Sequence, residues 1–144
     1  MTSLQHTNRF PPFPPPTPFI LHVGGPDQWH DVLLSIRWHE SKVKPRNETA
    51  TREVVVLAMA DVLAHAAMHN HYIPPNYKML YEVKDVVLQR YDRTTYFTWD
   101  LWEIVLTGVE QFIEAYDGLY FKFDIYLGEK KIQQHIGAGA LSGP

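Results

Sequence analysis

Apolar residues recur with a period near two in some stretches of the chain and near 3.6 in others, and the changes of period divide it into elements. Phe19 to Val23 is a short apolar run closed by Gly24, Gly25 and Pro26, the pattern of an opening strand and a turn. Val32, Leu34, Ile36 and Trp38 alternate with Ser35, Arg37 and His39, which predicts a strand over 32–39. Trp29, Val32, Leu33 and Ile36 also fit a helical stripe after Asp27; the strand is preferred because Trp38 joins the alternating set. Ser41 to Thr51 is polar, contains Pro45 and is expected to be a loop. From Arg52 to about Asn70 the pattern is helical, with Thr51 placed to cap and Glu53 in the first turn. Val54, Val55, Leu57, Ala58, Met59, Val62, Leu63, Ala66 and Ala67 make most of its circumference apolar, which predicts deep packing against a sheet.

Ile73-Pro74-Pro75 ends that helix. Lys78 to Tyr91 alternates in part, and the register breaks at Val86 to Leu88, which predicts a bulge or turn near Asp85. Trp102, Val105, Leu106, Val109, Phe112, Ile113 and Tyr116 define a second helix from Thr98 to about Ala115. Gly108 in its middle is unfavourable for a helix unless it admits close packing against the sheet or the first helix. Leu119, Phe121, Phe123, Ile125 and Leu127 alternate with Tyr120, Lys122, Asp124 and Tyr126, the most legible strand in the chain. Gly128-Glu129-Lys130 turns into a strand over about 131–136, and the Gly137-Ala138-Gly139-Ala140-Leu141 segment is expected to be a thin edge or tail. The order β, β, α, β, α, β, β predicts an α+β fold: an antiparallel or mixed β-sheet with two α-helices packed on one face.

Residues 1–18 differ in kind. Pro11 to Pro18 reads PPFPPPTP, which favours an extended proline-rich arm ahead of a single domain over 19–144. Such an arm is a disordered tail, lies along its own domain, or engages an aromatic groove or neighbouring subunit, and Phe10 and Phe13 are its candidate contact residues. The sheet face away from the helices is expected to expose tyrosines, Tyr120 and Tyr126 foremost, which either pack on each other or form a contact surface.

Composition narrows the function classes. The absence of cysteine among 144 residues excludes disulfides, cysteine nucleophiles and thiolate metal sites. A net charge of -3 gives no global electrostatic case for nucleic acid, and Lys42, Lys44, Arg46, Lys130 and Lys131 form no convincing basic track. No apolar run approaches membrane-spanning length, so neither nucleic acid nor membrane is expected as a partner. Asn47-Glu48-Thr49 is a glycosylation sequon should the chain be secreted, and location stays open.

The strongest candidate for chemistry is Asp61, His65 and His69, spaced four residues apart on one ridge of the first helix, with His71 just beyond. That ridge suits a divalent cation held by two imidazoles and a carboxylate. It suits better the single polar edge of an otherwise apolar helix, and Ala66, Ala67 and Met68 supply no glutamate base of the HExxH kind. The triplets Trp29-His30-Asp31 and Trp38-His39-Glu40 are too short to establish a repeat, and adjacent strand residues face opposite ways. No serine lies in a nucleophile elbow, and GAGALSG lacks the GK[ST] and following helix of a phosphate loop, so no catalytic residue and no cofactor are assigned.

The apolar first helix ending near YIPPN at 72–76, TWDLWEIVLTGVEQFI at 98–113 and FKFDIYLGEKKIQQHIGAGAL at 121–141 occur in an order that resembles small uncharacterised fungal α+β domains. The resemblance implies the fold class and a fungal source, and carries neither a catalytic residue nor a substrate. The expected function is a noncatalytic protein-interaction or structural domain, self-associating or bound to a protein partner. The alternatives are a metal-binding protein or small metal-dependent enzyme using Asp61, His65 and His69, and a small-ligand carrier with a pocket between helices and sheet.

Overall fold

The computed structural model describes residues 10–24, 31–42, 46–65, 67, 71–74, 80–92, 97–128 and 134–144. Its elements run β1 (Phe19–Val23), β2 (Val32–Glu40), α1 (Glu48–Ala64), β3 (Leu80–Val83), β4 (Val86–Asp92), α2 (Trp99–Ala115), β5 (Leu119–Leu127) and β6 (Gln134–Ser142). The six strands form one sheet in the order β1-β2-β5-β6-β4-β3, and every neighbouring pair is antiparallel. The α+β expectation therefore holds, with the sheet antiparallel throughout.

Each inner face follows from alternation. Phe19, Leu21 and Val23 of β1 pair with Ile36, Leu34 and Val32 of β2. Phe121, Phe123 and Ile125 of β5 extend the same layer, and all nine side chains are buried. Helix α2 packs on β1 and β2, and α1 packs on β3 and β4. A Cβ on Gly108 would lie 2.5 Å from Val23 Cγ2 and 2.9 Å from Leu34 Cδ1, so the glycine brings α2 down onto the sheet. Thr98 caps α2 through a 3.2 Å bond from Leu101 N–H to its Oγ1.

Two expectations are corrected, and a third is resolved between its two alternatives. Helix α1 begins at Glu48 rather than Arg52, because Asn47 Oδ1 accepts from Ala50 N–H at 3.0 Å while Thr51 Oγ1 donates to the Asn47 carbonyl at 2.8 Å inside the first turn. Of the bulge or turn expected near Asp85 the structure has the turn, a two-residue hairpin: Val83 pairs with Val86, and Lys84 and Asp85 take φ of 47° and 70°, as a type I′ turn requires. The Gly137–Leu141 segment is neither edge nor tail; it belongs to β6, which lies inside the sheet between β5 and β4. Its glycines face inward, where a Cβ on Gly139 would overlap the Phe123 ring, and its alanines face outward.

Candidate functional site

Helix α1 carries the residues on which the functional readings turn. Its sheet-facing side buries Ala50, Val54, Val55, Ala58 and Val62. The opposite side remains open: Val56 and Leu63 are each 65% exposed and Leu57 is 46% exposed. Leu57 and Leu63 were expected in the core, but the sheet and α2 cover only part of the circumference, so an all-apolar helix leaves an apolar face outside. Between α1 and α2 lies a groove of about 380 Å³, lined by Val55, Val56, Met59, Ala60, Leu63 and Ile113, with Arg52, Glu110 and Glu114 at its rim. Arg52 and Glu114 approach to 3.7 Å across it.

The polar ridge of α1 turns inward at its C-terminal end. Asp61 Oδ2 accepts a 2.7 Å hydrogen bond from the Tyr81 hydroxyl on β3. Burial, reinforced by that bond and by the carboxylate charge, pushes the Tyr81 hydroxyl well above its ordinary range. His65 Nδ1 lies 2.8 Å from the Asp61 carbonyl and 3.8 Å from Asp61 Oδ1, and its ring stacks on Trp99 with centroids 4.0 Å apart and 6° between planes. Beneath this cluster Arg90, 1% exposed, places its guanidinium 5.2 Å from the Trp102 ring and 5.4 Å from the Phe97 ring. Asp61 and His65 are thus brought together, engaged with Tyr81 and Trp99; His69 lies outside the described residues. Among the described residues no three His, Asp or Glu side chains converge as a metal site would require.

The N-terminal end of α1 is tied by Arg46, a buried cation. Its Nε and Nη2 donate to Glu48 Oε1 and Oε2, both at 2.8 Å, and its Nη1 donates to the Leu119 carbonyl. Glu48 Oε1 also accepts from Gly118 N–H at 3.3 Å, joining the start of α1 to the turn before β5.

The other candidate contact residues meet different fates. Phe10 packs on Phe19 at 6.0 Å and on Tyr116 at 6.3 Å, and Tyr116 donates from its hydroxyl to the Pro11 carbonyl at 2.6 Å. Trp38 Nε1 donates to the carbonyls of Pro15 and Pro16 at 3.1 and 3.2 Å, and Phe13 lies exposed 6.1 Å from the Trp38 ring. Residues 10–18 therefore rest on their own domain. Tyr120, expected on an open face, is 2% exposed: Gly143 closes over its hydroxyl and the Arg46 guanidinium sits 5.8 Å from its ring. Tyr126 is half-buried and stacked on His135 at 4.8 Å.

Sequence reasoning missed Val56, Leu57 and Leu63 as surface residues. The signal was present in the apolar circumference of α1, which exceeds what one sheet can cover. No helix among the described residues is long and apolar enough to cross a membrane. Comparison with protein-family models, curated proteins and solved structures found no match.

Proposed function

We propose that this chain is a noncatalytic protein-interaction domain that self-associates through the outer face of α1. The observation that carries the reading is the pair Val56 and Leu63, each 65% exposed on one helix face. Between Val56 and Ala64 the sequence holds one charge, Asp61, and that carboxylate is turned toward Tyr81. A contiguous apolar face of this kind is the ordinary mark of a docking surface.

Self-complementarity favours a second copy as the occupant. Val56, Ala60 and Leu63 follow one another at four and three residues, the spacing of a helix-pairing seam. Laid antiparallel on itself about Ala60, α1 brings Val56 of each copy onto Leu63 of the other. The small Ala60 residues face each other where the helices approach most closely, and the two helix dipoles run in opposite directions. Such a contact is isologous, the symmetry that closes a dimer.

Light scattering over a concentration series tests it, with unfolding curves as the folding control. The full chain is expected at twice 16.7 kDa. Leu63→Glu should give the monomer mass, and removal of residues 1–18 should leave the dimer intact. A monomer at every concentration would overturn the proposal, as would a dimer that survives Leu63→Glu.

A further inference from the structure

The outer face of the sheet carries a recess independent of the α1 surface. Its volume is about 420 Å³, within the range of small-molecule sites. Its floor is β6, where Ala138, Gly139 and Ala140 present nothing larger than a methyl group. Its walls come from the strands on either side: Arg37 and Lys122 of β2 and β5, and Gln89 and Tyr91 of β4. Lys122 pairs with Ala140 and Ala140 with Gln89, so the walls stand two strand spacings apart, about 9–10 Å. That width admits a flat ring lying on the alanine methyls.

The charge on this face is unbalanced. Arg37 and Lys122 are directly opposite each other across the β2–β5 pair, an arrangement that like charges disfavour. Both are exposed, and among the described residues neither enters an ion pair or hydrogen bond. The acid in the lining, Asp124, lies 3.1 Å from His135 Nε2. On the facing wall Tyr91 is 49% exposed, and its hydroxyl donates to Gln89 Oε1 at 2.7 Å, which holds the two side chains together.

We infer that this recess binds a small organic anion with a planar ring. Arg37 and Lys122 would take its carboxylate or phosphate, with the ring seated on Ala138 and Ala140 against Tyr91. A second charged group is not needed, and the distance between walls limits the ligand to a single ring.

Amide chemical shifts of the full chain, titrated with benzoate and with phenyl phosphate, test the inference. Benzyl alcohol and inorganic phosphate serve as probes lacking the charge or the ring. Saturable shifts are expected at 89–91, 122–124 and 138–142 for the two aromatic anions, with at least tenfold weaker response to either control. Arg37→Ala/Lys122→Ala should weaken binding at least tenfold while leaving the protein folded, because these cations hold no partner among the described residues. Ala140→Leu, which fills the floor, should abolish it. Benzoate responding and phenyl phosphate not, or the reverse, would assign the headgroup and still support the site. No localised shifts, equal binding of inorganic phosphate, or undiminished binding to the double variant would overturn it.

Discussion

Gly139→Ala probes how the centre of the sheet is packed. Gly139 pairs with Phe123 on β5 and with Arg90 on β4, so its missing side chain would point toward the helices. A Cβ there would lie 2.2 Å from Phe123 Cζ, 2.6 Å from Phe123 Cε2 and 2.8 Å from the Gln89 carbonyl oxygen. The Phe123 ring is buried and held 6.0 Å from Phe121, so it has no open space to enter, and the Gln89 carbonyl is fixed in the strand. Alanine in a strand interior would otherwise gain about 0.5–1 kcal/mol over glycine. Overpacking a filled core costs about 1–3 kcal/mol. With contacts below 3 Å to both a ring and a backbone atom, the net loss is placed at about 1–2 kcal/mol.

Urea unfolding reads this as a lower midpoint at unchanged slope. A second variant isolates the ring. Phe123→Leu alone should cost about 1–2 kcal/mol through the cavity it leaves. Combined with Gly139→Ala it removes the ring overlap and fills part of that cavity, while the contact to the Gln89 carbonyl stays. The double variant should therefore be more stable than the sum of the singles by about 1 kcal/mol. A neutral or stabilising Gly139→Ala, or an additive cycle, would refute the packing account of β6.

Two further perturbations address the anchors of the fold. Tyr81→Phe removes the bond to Asp61 and should cost about 1–2 kcal/mol, at the low end for a charged acceptor because the carboxylate is partly hydrated. It should also flatten the alkaline limb. The folded Tyr81 hydroxyl is raised above the ordinary 10.0, so below pH 10 both states stay protonated and stability is constant. Above that the unfolded chain ionises first and stability falls by up to about 1.4 kcal/mol per pH unit for each such tyrosine. Tyr116 and Tyr120 are raised by burial in the same direction and should retain their share in the variant, which urea curves from pH 8 to 11 would separate. Removal of residues 1–18 frees the Trp38 indole and the Tyr116 hydroxyl and strips Phe10 from Phe19; a loss of about 2–4 kcal/mol and a red-shifted tryptophan emission are expected. Unchanged stability and emission would mean that the arm does not rest on its domain in solution.

The elements read best where one face is apolar and the other is not. Strand β5 and helix α2 have that contrast, and their limits match the sequence pattern closely. Strand β6 has none in its second half, since glycine and alanine carry no hydrophobic alternation; its place is set by pairing with Phe121 and Leu88, which are remote in sequence. The start of α1 was misplaced because Asn47 and Thr51 are both good caps, and the choice depends on Arg46 reaching Glu48 and Leu119. Tyr120 has the signature of an exposed strand residue and is buried by Gly143, a contact that alternation within β5 does not encode. For α1 the limit is of another sort. An all-apolar circumference states that the helix is covered broadly, yet not which side the sheet leaves open.

The same helix explains why its polar residues looked like chemistry. At the N-terminal end Arg46 and Glu48 bind α1 to Gly118 and Leu119; at the C-terminal end Asp61 holds Tyr81 and His65 stacks on Trp99. Each contact reaches a different element, so α1 is fixed to β5 at one end and to β3 and α2 at the other. A helix restrained at both ends loses little backbone freedom when its outer face is covered, and the cost of docking falls mainly on the side chains of Val56, Leu57 and Leu63. All of these are β- or γ-branched aliphatics whose ordering is inexpensive beside that of a lysine or glutamate at the same position. On this account Asp61 and His65 serve the proposed interface indirectly, by presenting it in one orientation, and their four-residue spacing follows from the need to reach two neighbours from adjacent turns of one helix.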